Sequence, residues 1–566
     1  MATSSYARDR AAQQELAIAI LLGTAVALGS AVVAISWSLP MIAAWVHSGR
    51  VAHLGVPDAL EALVNGRLYG GDPASAYPLA TARLLPGAWG FWGAAALSLI
   101  GLTAVIGAVG RRAEIAMSRP TADRRWWQLR GRRPHEFGRY RTVRALVVQA
   151  PSAERVIVGR IAHPSALVAI EAAKQAAVIA APQVGKTSGL IIPAVLEHGG
   201  PVAVTSTKTD VVLATIARRR RMGEVFVWDP FGEQSDCWDP LQGCEDWEHA
   251  LLVAKWLGAA RLLRDSSNQQ YFDEEAQELT APLLHAAALS GEHTILDVYR
   301  WVRQRERDTP NAILASAEAD DALLRLEAVY EYTERQRDGI LGTAAIQLKA
   351  YGHPAAARTA ARGQGMTPAG LFDPAAGRAA LYIVAGREHQ QLLAPLVVTM
   401  LSSLLFWLSE RENRTGKALS PPALFALDET ANIAPLEALP QILATSLSAG
   451  VRFLTVWHSV AQLRRHYGQD AAAEILALCQ AKVFLGSITD DFTRDYIVEL
   501  LGRRQQLGER HVARGRGVDV MTAQALQRTS TGEGLLINGD LPPVFFRQRR
   551  HYLDRGLRQL KGELVD

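Results

Sequence analysis

Lys186 and Thr187 close the stretch Val178-Ile179-Ala180-Ala181-Pro182-Gln183-Val184-Gly185-Lys186-Thr187, and residues of these types at this spacing bind phosphate. A phosphate-binding loop requires Gly, four residues, then Gly-Lys-Ser/Thr. Gly185, Lys186 and Thr187 meet that pattern, with Ala180 where the first Gly is usual. The nucleotide-contacting set read from the loop is Ala181, Pro182, Gln183, Val184, Gly185, Lys186, Thr187 and Ser188. Backbone amides there wrap the β-phosphate of ATP, Lys186 reaches the β and γ oxygens, and the Thr187 hydroxyl completes the coordination of Mg²⁺.

A second set of residues completes this chemistry. Ala423-Leu424-Phe425-Ala426-Leu427 runs directly into Asp428-Glu429. Asp428 is expected to hold the metal with Thr187, and Glu429 to polarise the attacking water. The segment Phe453-Leu454-Thr455-Val456-Trp457 ends at His458-Ser459, and a polar side chain at the end of a strand beside the carboxylates can sense the γ-phosphate. His458 is the candidate sensor, its alternative being a hydrogen-bonded turn histidine. The catalytic set is therefore Glu429, Asp428, Lys186 and His458.

These groups need strands that end at one place. The loop follows an apolar strand and precedes Ser188 to Leu196, a helix whose N-terminus favours phosphate. Further strands are expected at 201–206, 224–232, 379–384, 423–427, 451–457 and 481–486, with a helix over 210–221. Strands alternating with helices give a doubly wound α/β fold, here a RecA-like P-loop NTPase core. From 245 to 370 the Ala/Leu/Glu/Arg-rich stretches lack strand runs, which predicts an all-helical insertion. The apolar helix expected from Gln390 to Trp407 is a buried crossover rather than a membrane span, because it lies inside the nucleotide fold.

Two runs near the start carry no ionisable residue, 17–46 and 84–110. About 20 such residues span a bilayer, so the pair reads as a transmembrane hairpin with an external loop over 47–83. Arg111, Arg112, Arg119, Arg124, Arg125, Arg130, Arg132 and Arg133 follow the second run, against only Arg50, Arg67 and Arg83 between the runs. That bias places both termini and the ATPase body in the cytoplasm of a bacterial inner membrane. The full division is a cytoplasmic N-terminus (1–16), the hairpin (17–110), a basic juxtamembrane segment (111–145), the first part of the core (146–244), the insertion (245–370), and the second part of the core with the C-terminal segment (371–566).

Composition adds little. A net charge of +4 over 566 residues does not mark a nucleic-acid binder, since the relevant field can be confined to one face or channel. Cys237, Cys244 and Cys479 fit a reducing compartment and lack the pair spacing of a zinc site.

The ordered combination of membrane hairpin, Ala180 to Thr187 loop, Val227-Trp228-Asp229-Pro230-Phe231, helical insertion, Asp428-Glu429, Trp457 to Leu463, Asp490 to Gly502 and Pro542 to Arg547 resembles the coupling proteins of type IV secretion and conjugation, the TraG/TraD group. The resemblance implies a homohexameric DNA-translocating ATPase, binding ATP and Mg²⁺ and driving single-stranded or relaxase-bound DNA toward the secretion channel. It also implies that the insertion meets the relaxase or relaxosome. Family members commonly carry glutamine where His458 stands, and many carry an arginine in the neighbourhood that is Ser446-Leu447-Ser448-Ala449-Gly450 here. Arg452 is the nearest basic residue in sequence, with Arg464 and Arg465 further on. Two rival functions stand beside this one: an ATP-binding recruitment protein for secreted polypeptides, and an FtsK-like double-stranded DNA translocase.

Overall fold

Residues 176, 178 and 180 of the strand Ala176–Ala180 face one apolar core and residues 177 and 179 face another, so this strand is buried on both sides. A strand covered on both faces is the mark of a sheet sandwiched between helices. The computed structural model describes residues 37–64, 71–93, 95–96, 142–161, 166–259, 267–363, 365–373, 377–504, 518–519, 521, 523–527 and 529–563. It divides into two compact units, Met1–Gly131 and Arg132–Asp566.

The larger unit is built on one 12-stranded sheet. In chain order its strands are β1 (Val147–Val148), β2 (Ile157–Arg160), β3 (Leu167–Ala169), β4 (Ala176–Ala180), β5 (Val202–Ser206), β6 (Val225–Trp228), β7 (Ala380–Val384), β8 (Ala423–Leu427), β9 (Val451–Trp457) and β10 (Ala481–Leu485). A separate short ribbon, β11 (Arg503–Arg504) with β12 (Val518–Asp519), precedes the last two sheet strands, β13 (Glu533–Asn538) and β14 (Leu541–Arg547). The spatial order is β1-β3-β2-β14-β13-β10-β4-β9-β8-β5-β7-β6. From β10 to β6 every pairing is parallel, and from β10 outward through β13, β14, β2, β3 and β1 every pairing is antiparallel. The parallel part is the expected doubly wound core; the antiparallel flank is an addition that the sequence did not announce.

Between β6 and β7 the described residues form helices and no strand, the longest being Ser267–Ser290. Their buried faces join the same core that covers one side of the sheet. The helix Gln390–Thr415 is the one helix among the described residues long and apolar enough to cross a membrane. It instead buries Leu393, Val397, Met400, Leu401 and Leu404 against that core. It links β7 to β8 across β5, which makes it a crossover helix.

The smaller unit has its own core of Leu39, Ala43, Ala44, Leu54, Tyr77, Leu85 and Phe91. The stretch expected as an external loop carries the helix Val56–Val64, the 3₁₀ turn Pro73–Ala76 and the short helix Leu79–Ala82. Most of the two apolar runs read as spans, 17–36 and 97–110, lies outside the described residues, as does most of the basic segment after them.

Candidate nucleotide site

Lys186 leaves the end of β4 through a loop whose backbone only a few residues tolerate. Gln183 and Gly185 both have left-handed φ, 65° and 89°. For Gln183 such a conformation costs of order 1–3 kcal/mol and persists where the surroundings impose it. Ala180 shows no such demand: it is the last, extended residue of β4, its methyl buried in the core, so the missing glycine removes nothing the loop uses. After Lys186 the chain makes a π-type turn, Thr187–Ile191, before the α-helix Ile192–Glu197. The expected helix over 188–196 is thus widened in its first turn. Pro193 supplies the reason, since it has no N–H for the carbonyl four residues back and its ring crowds that carbonyl.

The candidate side chains meet above the adjacent strands β4, β9 and β8. Thr187 Oγ1 donates to Asp428 Oδ2 at 2.8 Å. Lys186 Nζ donates to Glu429 Oε1 at 2.6 Å and lies 4.0 Å from Asp428 Oδ1. His458 bridges them, with Nδ1 3.1 Å from Lys186 Nζ and Nε2 2.8 Å from Glu429 Oε2. An ammonium only donates, so at that contact Nδ1 is the acceptor, and Nε2 is the ring nitrogen that faces the carboxylate.

Backbone geometry aims these groups. Glu429 adopts φ 55°, a left-handed conformation that turns the chain sharply at the end of β8. Thr205 on the neighbouring β5 donates its hydroxyl to the Asp428 carbonyl at 2.8 Å, and Thr430 ties the Leu427 carbonyl to the Val456 amide of β9. Asn432 Nδ2 reaches Glu429 Oε2 at 3.3 Å. Gln462 Oε1 accepts from the His458 backbone amide at 2.8 Å, so the histidine is joined to the helix Val460–Tyr467. Thr205, Asn432 and Gln462 carry no spacing signal that would have singled them out; Gln462 is legible only as part of the segment Trp457 to Leu463.

The two carboxylates are driven apart electrostatically. Burial pushes the Glu429 carboxyl up, but hydrogen bonds from His458 and Lys186, together with the charge beside it, outweigh burial and hold the group down at about 2. Burial dominates at Asp428 and leaves its carboxyl raised, despite Lys186 and the Thr187 hydroxyl. Asp428 is thus a desolvated carboxyl with a hydroxyl beside it, an oxygen pair suited to a hard divalent cation. No cluster of three or more His, Cys, Asp or Glu side chains that could hold a metal occurs among the described residues. A cation here would take its remaining ligands from phosphate and water, as Mg²⁺ commonly does.

Of the basic residues considered as phosphate contacts for a neighbouring subunit, Arg452 is paired with Glu154 at 2.5 Å. The Arg464 guanidinium lies over the Phe492 ring, 5.2 Å from its centroid. Arg465 is exposed on the same helix.

Residues 148–506 match the family described as type IV secretory system conjugative DNA transfer. The chain belongs to this family. The chain is 23% identical over 411 residues to Protein VirD4 of Rhizobium rhizogenes, covering 68% of this chain and 59% of that protein. It is 23% identical over 333 residues to the conjugal transfer protein TraG of Agrobacterium fabrum, covering 56% of this chain and 49% of that protein. It therefore spans between about half and three-fifths of the length of these relatives. Among solved structures, plasmid coupling protein TrwB in complex with ADP and Mg²⁺ aligns with a TM-score of 0.56 at 16% identity, over 73% of this chain and 94% of that one. At that identity the likeness is one of fold. Within the conjugative DNA transfer family match lie all five of the residues that meet above β4, β8 and β9.

Proposed function

We propose that the chain is a membrane-anchored ring ATPase that couples a DNA substrate, single-stranded and relaxase-bound, to a type IV export apparatus and drives its translocation by ATP hydrolysis. The observation that carries this reading is the meeting of Lys186, Thr187, Asp428, Glu429 and His458 at one end of the parallel sheet, in a chain of the conjugative DNA transfer family. The structure of TrwB with ADP and Mg²⁺ adds support for ATP and Mg²⁺ as ligands.

The loop from Ala181 to Ser188 cradles the phosphates, and Thr187 with Asp428 holds Mg²⁺, which when bound offsets charge developing on the phosphates. Lys186 moves from Glu429 to the phosphate oxygens when they arrive. Until then its ammonium occupies the carboxylate that should accept a proton from water, and the base is masked. Once Lys186 has left, Asn432 and His458 keep Glu429 Oε2 oriented while Oε1 faces the water. His458 then reports the change to the helix Val460–Tyr467 through Gln462.

The test is ATP hydrolysis by the purified full chain with and without single-stranded DNA. Stimulation that vanishes in Lys186→Ala is expected. Nucleotide binding without stimulation would favour recruitment of polypeptide cargo instead, and stimulation by duplex but not single strands would favour a double-stranded DNA translocase.

A further inference from the structure

Gln548 is a polar side chain that the chemistry of the carboxylates and Lys186 leaves unexplained. It is 8% exposed, and neither its amide nitrogen nor its oxygen has a hydrogen-bonding partner among the described residues. A buried amide without partners in the chain is costly, so such a group in a native fold calls for a partner from outside it, a ligand or a water. The side chain lies along the phosphate loop. A β-carbon placed on Gly185 would come within 3.1 Å of Gln548 Oε1, and one placed on Gly189, a turn later, within the same distance.

Strand order says which end of a nucleotide lies there. The carboxylates and His458 stand on β8 and β9, to one side of β4, so the γ-phosphate points that way. The nucleoside must leave on the other side, toward β10, β13 and β14, and Gln548 directly follows β14. The turn it begins is fixed to the loop: the His551 amide donates to the Ser188 carbonyl at 3.1 Å. Arg550 Nε comes within 3.7 Å of a β-carbon on Gly185, and Arg550 Nη1 donates to the Tyr552 hydroxyl at 2.9 Å. Tyr552 is 45% exposed, its ring standing at 89° to that of His551 with centroids 5.3 Å apart.

We propose that the turn Gln548–Tyr552 is the nucleoside wall of the site: the Gln548 amide receives the ribose hydroxyls of a nucleoside 5′-triphosphate, the Arg550 guanidinium its α-phosphate oxygens, and Tyr552 offers its ring to the base. This rests on the proposed function, in which the loop after β4 binds a nucleotide. An amide held ready with both a donor and an acceptor suits a ribose, whose hydroxyls do both.

Binding of ADP and of inorganic tripolyphosphate, each with Mg²⁺, to the full chain in detergent separates the two ends of the ligand. In Gln548→Met, which keeps side-chain length, the Kd for ADP should rise about tenfold while that for tripolyphosphate stays unchanged. The thermal midpoint of the nucleotide-free protein should hold or rise, because an unpaired buried amide has gone. Tyr552→Ala, at an exposed position, should show the same split, whereas Arg550→Gln, facing the α-phosphate position that tripolyphosphate also fills, should weaken both probes. In Gln548→Met, equal weakening of both probes, no weakening of ADP, or a lowered thermal midpoint would each overturn the proposal, leaving the turn a mere support of the loop. Should the unaltered chain bind neither probe, or Lys186→Ala bind tripolyphosphate as well as it does, the nucleotide-binding reading itself falls, and this proposal with it.

Discussion

Glu429 and Asp428 are neighbours with opposite electrostatic fates, and this sets what each substitution does. Glu429→Gln should leave nucleotide binding intact and lower hydrolysis by about 10²–10⁴-fold, measured as phosphate release against equilibrium binding. The Glu429 carboxyl at about 2 lies below its unfolded value of about 4.3. Its contribution to stability is therefore present above the unfolded value and is lost as pH falls toward about 2. An acid titration followed by near-ultraviolet circular dichroism should show that loss in the nucleotide-free chain and not in Glu429→Gln. Asp428 has the reverse sign: its raised carboxyl makes the charged form a burden on the empty fold. Asp428→Asn should be no less stable than the parent to heat while losing Mg²⁺-dependent nucleotide binding; a drop in thermal midpoint would count against burial as the dominant effect. The spacing of Gly185-Lys186-Thr187 and of Asp428-Glu429 made these residues legible in the sequence. Their mutual masking was not legible, because the link Lys186–Glu429–His458 joins strands far apart in the chain.

Among the elements, the parallel strands β4 to β10 were readable because each is a short apolar run ending in a turn or a polar group. The antiparallel flank was not. β1 and β3 are two and three residues long, too short for a pattern, and β14 begins Leu541-Pro542-Pro543, which argues against a strand. The prolines are tolerated because the pairing with β13 shifts register between Leu536 and Asn538, and β14 meets β2 only at Arg547. The turn after β14 is held by Arg549, whose buried guanidinium donates to both Glu197 carboxylate oxygens at 2.8 and 3.0 Å and to both of Asp554 at 3.0 and 3.1 Å. Glu197 ends the helix after the phosphate loop, and Asp554 caps the helix Arg555–Lys561. Arg549→Met should cost about 3–5 kcal/mol, because it strands the buried Glu197 carboxylate, while Asp554 keeps Arg160 and the Leu557 amide. Urea midpoints at neutral pH test this, and an unchanged midpoint would mean the clamp is dispensable.

At the scale of the whole molecule the proposed function requires assembly and a charged path for DNA. Mass measurement of the full chain in detergent should show rings that dissociate on dilution; a monomer at every concentration would sink the ring. DNA affinity should fall steeply with salt, on the order of 0.7 log units per log unit of salt for each single-strand phosphate neutralised. Binding that ignores salt would point to polypeptide cargo. The sheet also imposes an order on how the chain is made. β1, β2 and β3 join the rest of the sheet only through β14, almost 400 residues later in the sequence. The strands synthesised first therefore have no sheet edge to settle on until residues 541–547 leave the ribosome, and contacts so distant along a chain form slowly. The phosphate loop likewise emerges ahead of β9 and β10, the two partners of β4, so a nascent chain cannot assemble the site until long after the residues of the loop have been made.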